Sequence, residues 1–369
     1  VSIATVGPVR IVGTGLLGAS VGLALTQHGV DVQLEDPSRT ALALARDVGA
    51  GTPVGPGSAA PALVVVAAPP DVTADAVQAA LVAHPDAVVT DVASVKGYVL
   101  AELRASGADL SRYVGSHPMA GRERSGPSAA VPGLFVGRPW VITDSGTSRD
   151  DALLAVRHLA VDLGAVPVVM EAAEHDAAVA AVSHVPQLAS SLVAARLRGT
   201  DDAALALAGQ GLRDVTRLAA SDPALWTSIL AANAAAVRDV LVALRADLDV
   251  VVDALDRAAG ATGPEDVELG ALATIARTIA EGNTGAARIP GKHGGAHKQY
   301  AVVSVLVPDT PGELARLLGD VGAAGVNLED LQLEHAAGRA VGMAAISVLP
   351  ARAEHLESEL TARGWRLVS

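Results

Sequence analysis

Cysteine is absent from all 369 residues of the chain. That excludes disulfides, thiolate metal sites and a cysteine nucleophile, and it fits a reducing, cytoplasmic setting. Aromatic residues are scarce: one Phe, three Trp and three Tyr. The cores must therefore be built from Val, Leu, Ile and Ala. Charged residues make up 18% of the chain and hydrophobic ones 50%, which excludes wholesale disorder. A formal net charge of −13 argues against a nucleic-acid surface. A site for an anion must then draw on local Arg, Lys or His. The opening VSIATVGPVR has no basic start before a long apolar run, so no signal peptide is expected. Runs such as Leu63–Pro69 are only strand-length, so no membrane span is expected. HExxH, GKS and GKT do not occur, so nothing indicates a metal cage or phosphoryl transfer.

A chain of this length exceeds one growing core, and two or three domains are expected. Val9–Ser20 reads VRIVGTGLLGAS: a short apolar run, a glycine turn and an apolar helix. A second strand over Val30–Leu34 ends in Glu35 and Asp36. This is the order of a dinucleotide site; a purely structural glycine turn is the alternative. Gly13 permits the turn, Gly15 lets a pyrophosphate approach, and Gly18 lets helix and strand pack. The turn residues Leu16 and Leu17 complete the phosphate cradle at the helix start. Asp36, with Glu35 beside it, would accept ribose hydroxyls and repel a 2′-phosphate, favouring NAD over NADP. Arg39 is the nearby residue that speaks for NADP.

Further strands at Ala62–Ala67, Ala87–Thr90, Tyr113–Gly115 and Pro139–Thr143 predict a mostly parallel α/β sheet. Polar residues concentrate in Thr90–Gly97 and Gly115–Gly126. Ser94 reads either as a helix cap or as a hydroxyl facing the nicotinamide crevice. His117, directly after a strand and before Pro118, reads as catalytic or structural. From about Glu171 to Glu281 helical patterns take over, with apolar faces that ask for a dimer or a packed bundle. Asp176, Ala180 and His184 fall on one helical face, and Arg213 and Arg217 are again four apart. The arginines read as an anion clamp or as a solvated pair, and Trp226 as a site wall or a core residue. Residues 300–369 read as a βαββαβ unit after a Gly-rich basic linker. The expected division is 1–168 Rossmann-like, 169–285 helical, 286–299 linker, and 300–369 regulatory.

GTGLLG, TDVASVKG, GSHPMAGRERSG, the SHVPQ helix and GLRDVTRLAASDPALW, in that order, closely resemble the prephenate/arogenate dehydrogenases over about residues 9–285. PDTPGELARLL followed by VNLEDLQLEH resembles the amino-acid-binding ACT domains, which are ferredoxin-like. The first resemblance implies NAD-dependent oxidative decarboxylation of prephenate, with His117 deprotonating the ring hydroxyl and Ser94 contacting it. It implies that Arg217 grips the ring carboxylate, and that Arg213 stands where relatives carry a lysine. Glu123 would be a gating acid, His184 a substrate-side histidine and Trp226 a wall residue. Gln187 departs from the histidine common at its position. The rivals are arogenate as substrate, a generic hydroxyacid dehydrogenase, and a regulator that has lost its chemistry. A homodimer is expected. Asn327, at the start of the module's second strand, would hold an aromatic amino acid effector or merely shape the turn.

Overall fold

The computed structural model describes residues 3–121, 124–260, 269–290, 300–335 and 341–368. The chain forms two compact units, one of residues 1–198 and 215–244, the other of 199–214 and 245–369. The first unit is built on β1 (Val9–Val12), β2 (Val32–Glu35), β3 (Thr52–Pro53), β4 (Leu63–Val66), β5 (Val88–Asp91), β6 (Tyr113–Pro118), β7 (Pro139–Asp144) and β8 (Val166–Val169). They form one eight-stranded sheet in the order β3-β2-β1-β4-β5-β6-β7-β8. Every pairing is parallel except β6 with β7. From β1 the chain moves out to β2 and β3 on one side, then returns to β4 on the other. The strand order therefore switches beside the carboxyl end of β1, where such sheets open a ligand crevice.

The flanking helices are α1 (Leu16–Gln27), α2 (Arg39–Asp47), α3 (Pro70–Ala83), α4 (Gly97–Ala105) and α5 (Asp150–Asp162). Leu63 and Val65 of β4 pack into one core, Val64 and Val66 into the other. Burial on both faces explains why β4 reads as an unbroken apolar run rather than an alternating one. The sequence reading placed His117 after a strand. It lies instead within β6, because antiparallel pairing with β7 (His117 opposite Val141) carries the strand on to Pro118. It also passed over β3, too short to show a pattern, and β8, whose alternation is weak at the sheet edge.

The next helices are α6 (Ala172–Val179) and α7 (Val185–Arg196), joined by a π-helical turn over Ala180–His184. Pro186, in the first turn of α7, has no N–H to close an α-helical bond, and the ladder widens ahead of it. The wider turn keeps Asp176, Ala180 and His184 on one face, and all three are buried. The whole stretch Ala172–Gly199 is long and apolar enough to cross a bilayer by length and composition. It nevertheless carries the buried polar residues His175, Asp176 and His184, as a core helix can and a lipid-facing one does not. After α8 (Asp202–Leu205) and α9 (Gln210–Thr216) come α10 (Pro223–Ala232) and α11 (Ala234–Ala259). The last two bend by 93° at Asn233, whose ψ of 26° leaves the helical region.

The second unit contains α12 (Leu269–Ala286), β9 (Ala301–Pro308), α13 (Glu313–Ala323), β10 (Asp330–His335), β11 (Val341–Val348), α14 (Pro350–Ala362) and β12 (Arg366–Val368). The antiparallel sheet runs β10-β11-β9-β12, the βαββαβ arrangement expected of a ferredoxin-like unit. Val303, Val305, Leu317, Ile346, Leu356 and Trp365 fill its core. Trp365 Nε1 donates to Asp320 (2.8 Å), and the Arg316 guanidinium lies 3.7 Å from the indole centroid. Asn327 is not at a strand start: it is exposed ahead of β10, and its amide donates to Glu329 Oε1 (3.0 Å). The hydrogen-bonded ladder with β11 begins only at Asp330.

Candidate active site

The glycine turn behaves as a nucleotide cradle. Gly13 has φ +95°, and a Cβ there would meet the Ala67 carbonyl oxygen at 2.3 Å. A Cβ on Gly18 would lie 2.0 Å from the Gly13 oxygen, so strand and helix approach as closely as glycine allows. At Gly15, the N-cap of α1, a Cβ would meet nothing within 4 Å, which leaves room for a pyrophosphate before the N–H groups of Leu16 and Leu17. Asp36 Oδ2 accepts from the backbone N–H (2.7 Å) and hydroxyl (2.9 Å) of Thr14, and Oδ1 from the Ser38 N–H (2.7 Å). The acid is thus moored to the glycine turn, while Glu35 ends β2 exposed.

A line of side chains runs inward from β6. His117 Nδ1 lies 2.8 Å from His175 Nε2, and His175 Nδ1 lies 2.8 Å from Asp176 Oδ1. A carboxylate can only accept, so His175 Nδ1 carries the proton. With one proton per imidazole, His175 Nε2 accepts from His117 Nδ1–H. His117 is left with its Nε2 lone pair uncommitted, the form a general base needs. Burial, with His175, Lys96 and His184 nearby, holds His117 well below the usual imidazole range, so the neutral ring persists. Asp176 is fixed from a second side, since the backbone N–H groups of Lys96 and Gly97 donate to Oδ1 and Oδ2 (2.8 Å each). Burial alone would raise its carboxyl; the His175 hydrogen bond and those N–H groups outweigh that and lower it.

Beneath this line the fully buried Lys96 ammonium pairs with Asp91 and donates to the Ser116 carbonyl (2.7 Å). Burial lowers its pKa, although Asp91 opposes that. Tyr113 donates its hydroxyl to Asp91 Oδ2 (2.7 Å). The cluster ties the carboxyl end of β5 to the strand that carries His117. Ser94 lies in the same β5–α4 bend, half-buried. It is not the helix cap: α4 is capped at Lys96, with no side-chain cap bond.

His184 ends the π turn with 1% exposure, and burial holds its pKa at about 4. Its ring meets Trp226 edge-on, centroids 6.0 Å apart. Arg217 is exposed and opens a 3₁₀ turn after α9, because the helix ends at Thr216 before the Asp222–Pro223 start of α10. Arg213 lies in α9 and belongs to the other compact unit. Gln187 of α7 holds the Arg217 turn, donating to the Leu218 carbonyl (2.7 Å) and accepting from the Ser221 hydroxyl (3.2 Å). Glu123 lies outside the described residues.

Sequence reasoning put Asp176 on a helical face with His184 but gave neither it nor His175 a place in the relay. It gave no role to Asp91, Lys96, Tyr113 or Asn233. The adjacent His-Asp pair and the five-residue spacing of Asp91 and Lys96 inside an already conspicuous polar segment were the available signals.

Residues 21–169 match the prephenate dehydrogenase nucleotide-binding domain, and residues 171–261 match the prephenate dehydrogenase dimerization domain. The probable prephenate dehydrogenase NovF of Streptomyces niveus is 40% identical over 357 residues, covering 96% of this chain and 98% of that protein. The chain belongs to the prephenate dehydrogenase family. Its cofactor is NAD, and its α6–α11 region carries the family's dimerization domain. Among solved structures, the prephenate dehydrogenase of A. aeolicus in complex with hydroxyphenyl propionate and NAD+ is 26% identical. It has a TM-score of 0.61 and covers 74% of this chain and 97% of its own. The Synechocystis arogenate dehydrogenase, at 24% identity, shares the fold, with a TM-score of 0.59 and coverage of 75% of this chain and 99% of its own. The NovF likeness extends into the C-terminal βαββαβ unit, beyond the residues that the family's two domains match.

Proposed function

We propose that the chain converts prephenate and NAD+ to 4-hydroxyphenylpyruvate, CO2 and NADH. The observation that carries this is the His117–His175–Asp176 line, which leaves one imidazole lone pair free on the strand beside the Ser94 bend. NAD+ bound at the glycine turn would accept hydride from C4 of the substrate ring. His117 Nε2 takes the C4 hydroxyl proton as the oxygen becomes a carbonyl. The ring carboxylate departs as CO2, its bonding pair flows to that oxygen, and the proton returns from His117 to form the phenol. Ser94 contacts the hydroxyl, and Arg217 holds the carboxylate without protonating it. His184 and Trp226 complete the substrate surround in this reading.

Arogenate carries an ammonium that would call for a free carboxylate. Asp176 is the acid nearest His184 in sequence, but both its oxygens are engaged, and Ala180 offers none. Prephenate is therefore favoured. Steady-state kcat/KM on both acids tests this, and a clear preference for arogenate overturns it.

The same reading divides the chain into a Rossmann-like domain (1–168), a helical domain (169–285), a linker (286–299) and an ACT-like module (300–369). Homodimerisation would cover the exposed Leu248, Val252 and Leu255 of α11 and Ile279 of α12. An aromatic amino acid would bind near Asn327 and regulate turnover in a cytoplasmic enzyme.

A further inference from the structure

The α10–α11 break places a buried amide between two groups of the site. Asn233 is 5% exposed, and its Nδ2 lies 2.8 Å from the Asp176 carbonyl oxygen and 3.1 Å from His184 Nδ1. The carbonyl can only accept, so the amide must turn its NH2 toward it; the opposite amide orientation would set oxygen against oxygen. The second N–H then faces His184, whose Nδ1 must accept. An imidazole that accepts at Nδ1 carries its proton at Nε2.

We infer that Asn233 is a positioning residue that fixes the Nε2-protonated tautomer of His184, which therefore meets the substrate as a neutral hydrogen-bond donor. The donor role rests on the prephenate reading; the tautomer does not. His117 and His184 thus have opposite duties. The first offers a lone pair at Nε2, the second a proton, and each assignment is imposed by a buried partner. A neutral donor suits the keto or carboxylate oxygens of the substrate. The edge-on indole of Trp226 supports the ring without competing for either nitrogen. The titratable groups facing His184 are Asp176, His175 and His117.

The test is nitrogen NMR of full-length protein labelled in its histidines, at neutral pH, with the His184 signals identified by their loss in H184Q. The expected spectrum has Nδ1 unprotonated and Nε2 protonated, with or without NAD. A protonated Nδ1 overturns the inference. In N233D the carboxylate can only accept, so His184 should move its proton to Nδ1. The kcat/KM for prephenate should then fall about 10- to 100-fold, with KM for NAD unchanged. A flipped tautomer with unaltered kinetics overturns the donor role. If N233D does not fold, the wild-type spectrum still decides the tautomer. Wild-type protein that has the expected spectrum but does not turn over prephenate refutes the substrate reading and supports the tautomer assignment.

Discussion

The relay makes a prediction that separates orientation of the base from mere packing, through two replacements of His175. Asparagine places its amide where Nδ1 stood, so His175→Asn keeps a partner for Asp176 and loses contact with His117. Glutamine reaches the position of Nε2, so His175→Gln keeps an acceptor for His117 and gives up the bond to Asp176. Each variant breaks one 2.8 Å hydrogen bond in a fully buried place. A buried polar group left unpaired costs about 1–3 kcal/mol. Spent wholly on the transition state, that is roughly a 5- to 150-fold loss of kcat. For His175→Asn the unpaired group is the Nδ1–H of the base, so the loss should appear in kcat, with KM for prephenate and NAD nearly constant. For His175→Gln it should appear mainly as a lower melting temperature, with kcat within about fivefold of wild type. The assay is NADH formation at saturating substrates, alongside thermal unfolding of both variants. Equal losses of kcat in the two would refute the relay, as would a His175→Asn enzyme of normal turnover.

Other consequences follow from the same geometry. Because His117 is held neutral, kcat/KM should be full above its lowered pKa and fall only as pH drops through it; an acid limb at or above 6.5 in the pH–rate profile would remove it as the base. His184 protonates near 6.5 when unfolded but only at about 4 when folded, so the unfolded chain binds more protons between those values. Urea titrations should show stability falling by about 2 kcal/mol from pH 6.5 to 4, after allowance for partial solvent screening, and H184Q should flatten the decline. Arg217→Ala should raise KM for prephenate about 10- to 100-fold and leave KM for NAD alone; an unchanged KM places Arg217 outside the substrate site. Asn327→Ala should abolish the response of turnover to tyrosine or phenylalanine, and an unaltered response would place the effector elsewhere.

The parts of the molecule legible in its sequence were those governed by local rules. Gly13 and Gly18 announce the turn because no side chain fits their close contacts, and β4 announces itself as a doubly buried apolar run. His117 and Ser94 stood out as polar residues crowded around strand ends. What stayed hidden depends on partners far apart in the chain. Asp176 meets the α4 N-terminus across 80 residues, and Asn233 meets His184 across 49. The π turn was hidden for a related reason. Proline at position 186 marks a disturbed helix, but the direction of the disturbance depends on what packs there. Asn327 was misplaced because Val326–Glu334 has a strand-like composition, whereas pairing with β11 begins only at Asp330.

The relay also explains how two parts of the chain are made to act together. His117 belongs to the sheet, while His175 and Asp176 come from the first turns of the helical region. Neither part contains a complete base. Asp176 accepts the N–H groups that open α4, immediately after the bend that carries Ser94. The same carboxylate orients His175, and through it His117. Docking the helix on the sheet therefore sets the tautomer of the base and fixes the Ser94 bend in one event. Burial does most to keep a proton off His117 and His175 comes next; the Lys96 ammonium, neutralised locally by Asp91, adds to them, so the base remains available in a chain whose net charge of −13 would otherwise attract protons. The buried ion pair contributes little net stability once desolvation is counted. Its value lies in holding β5, β6 and the Ser94 bend in register, with a positive charge set behind the imidazole.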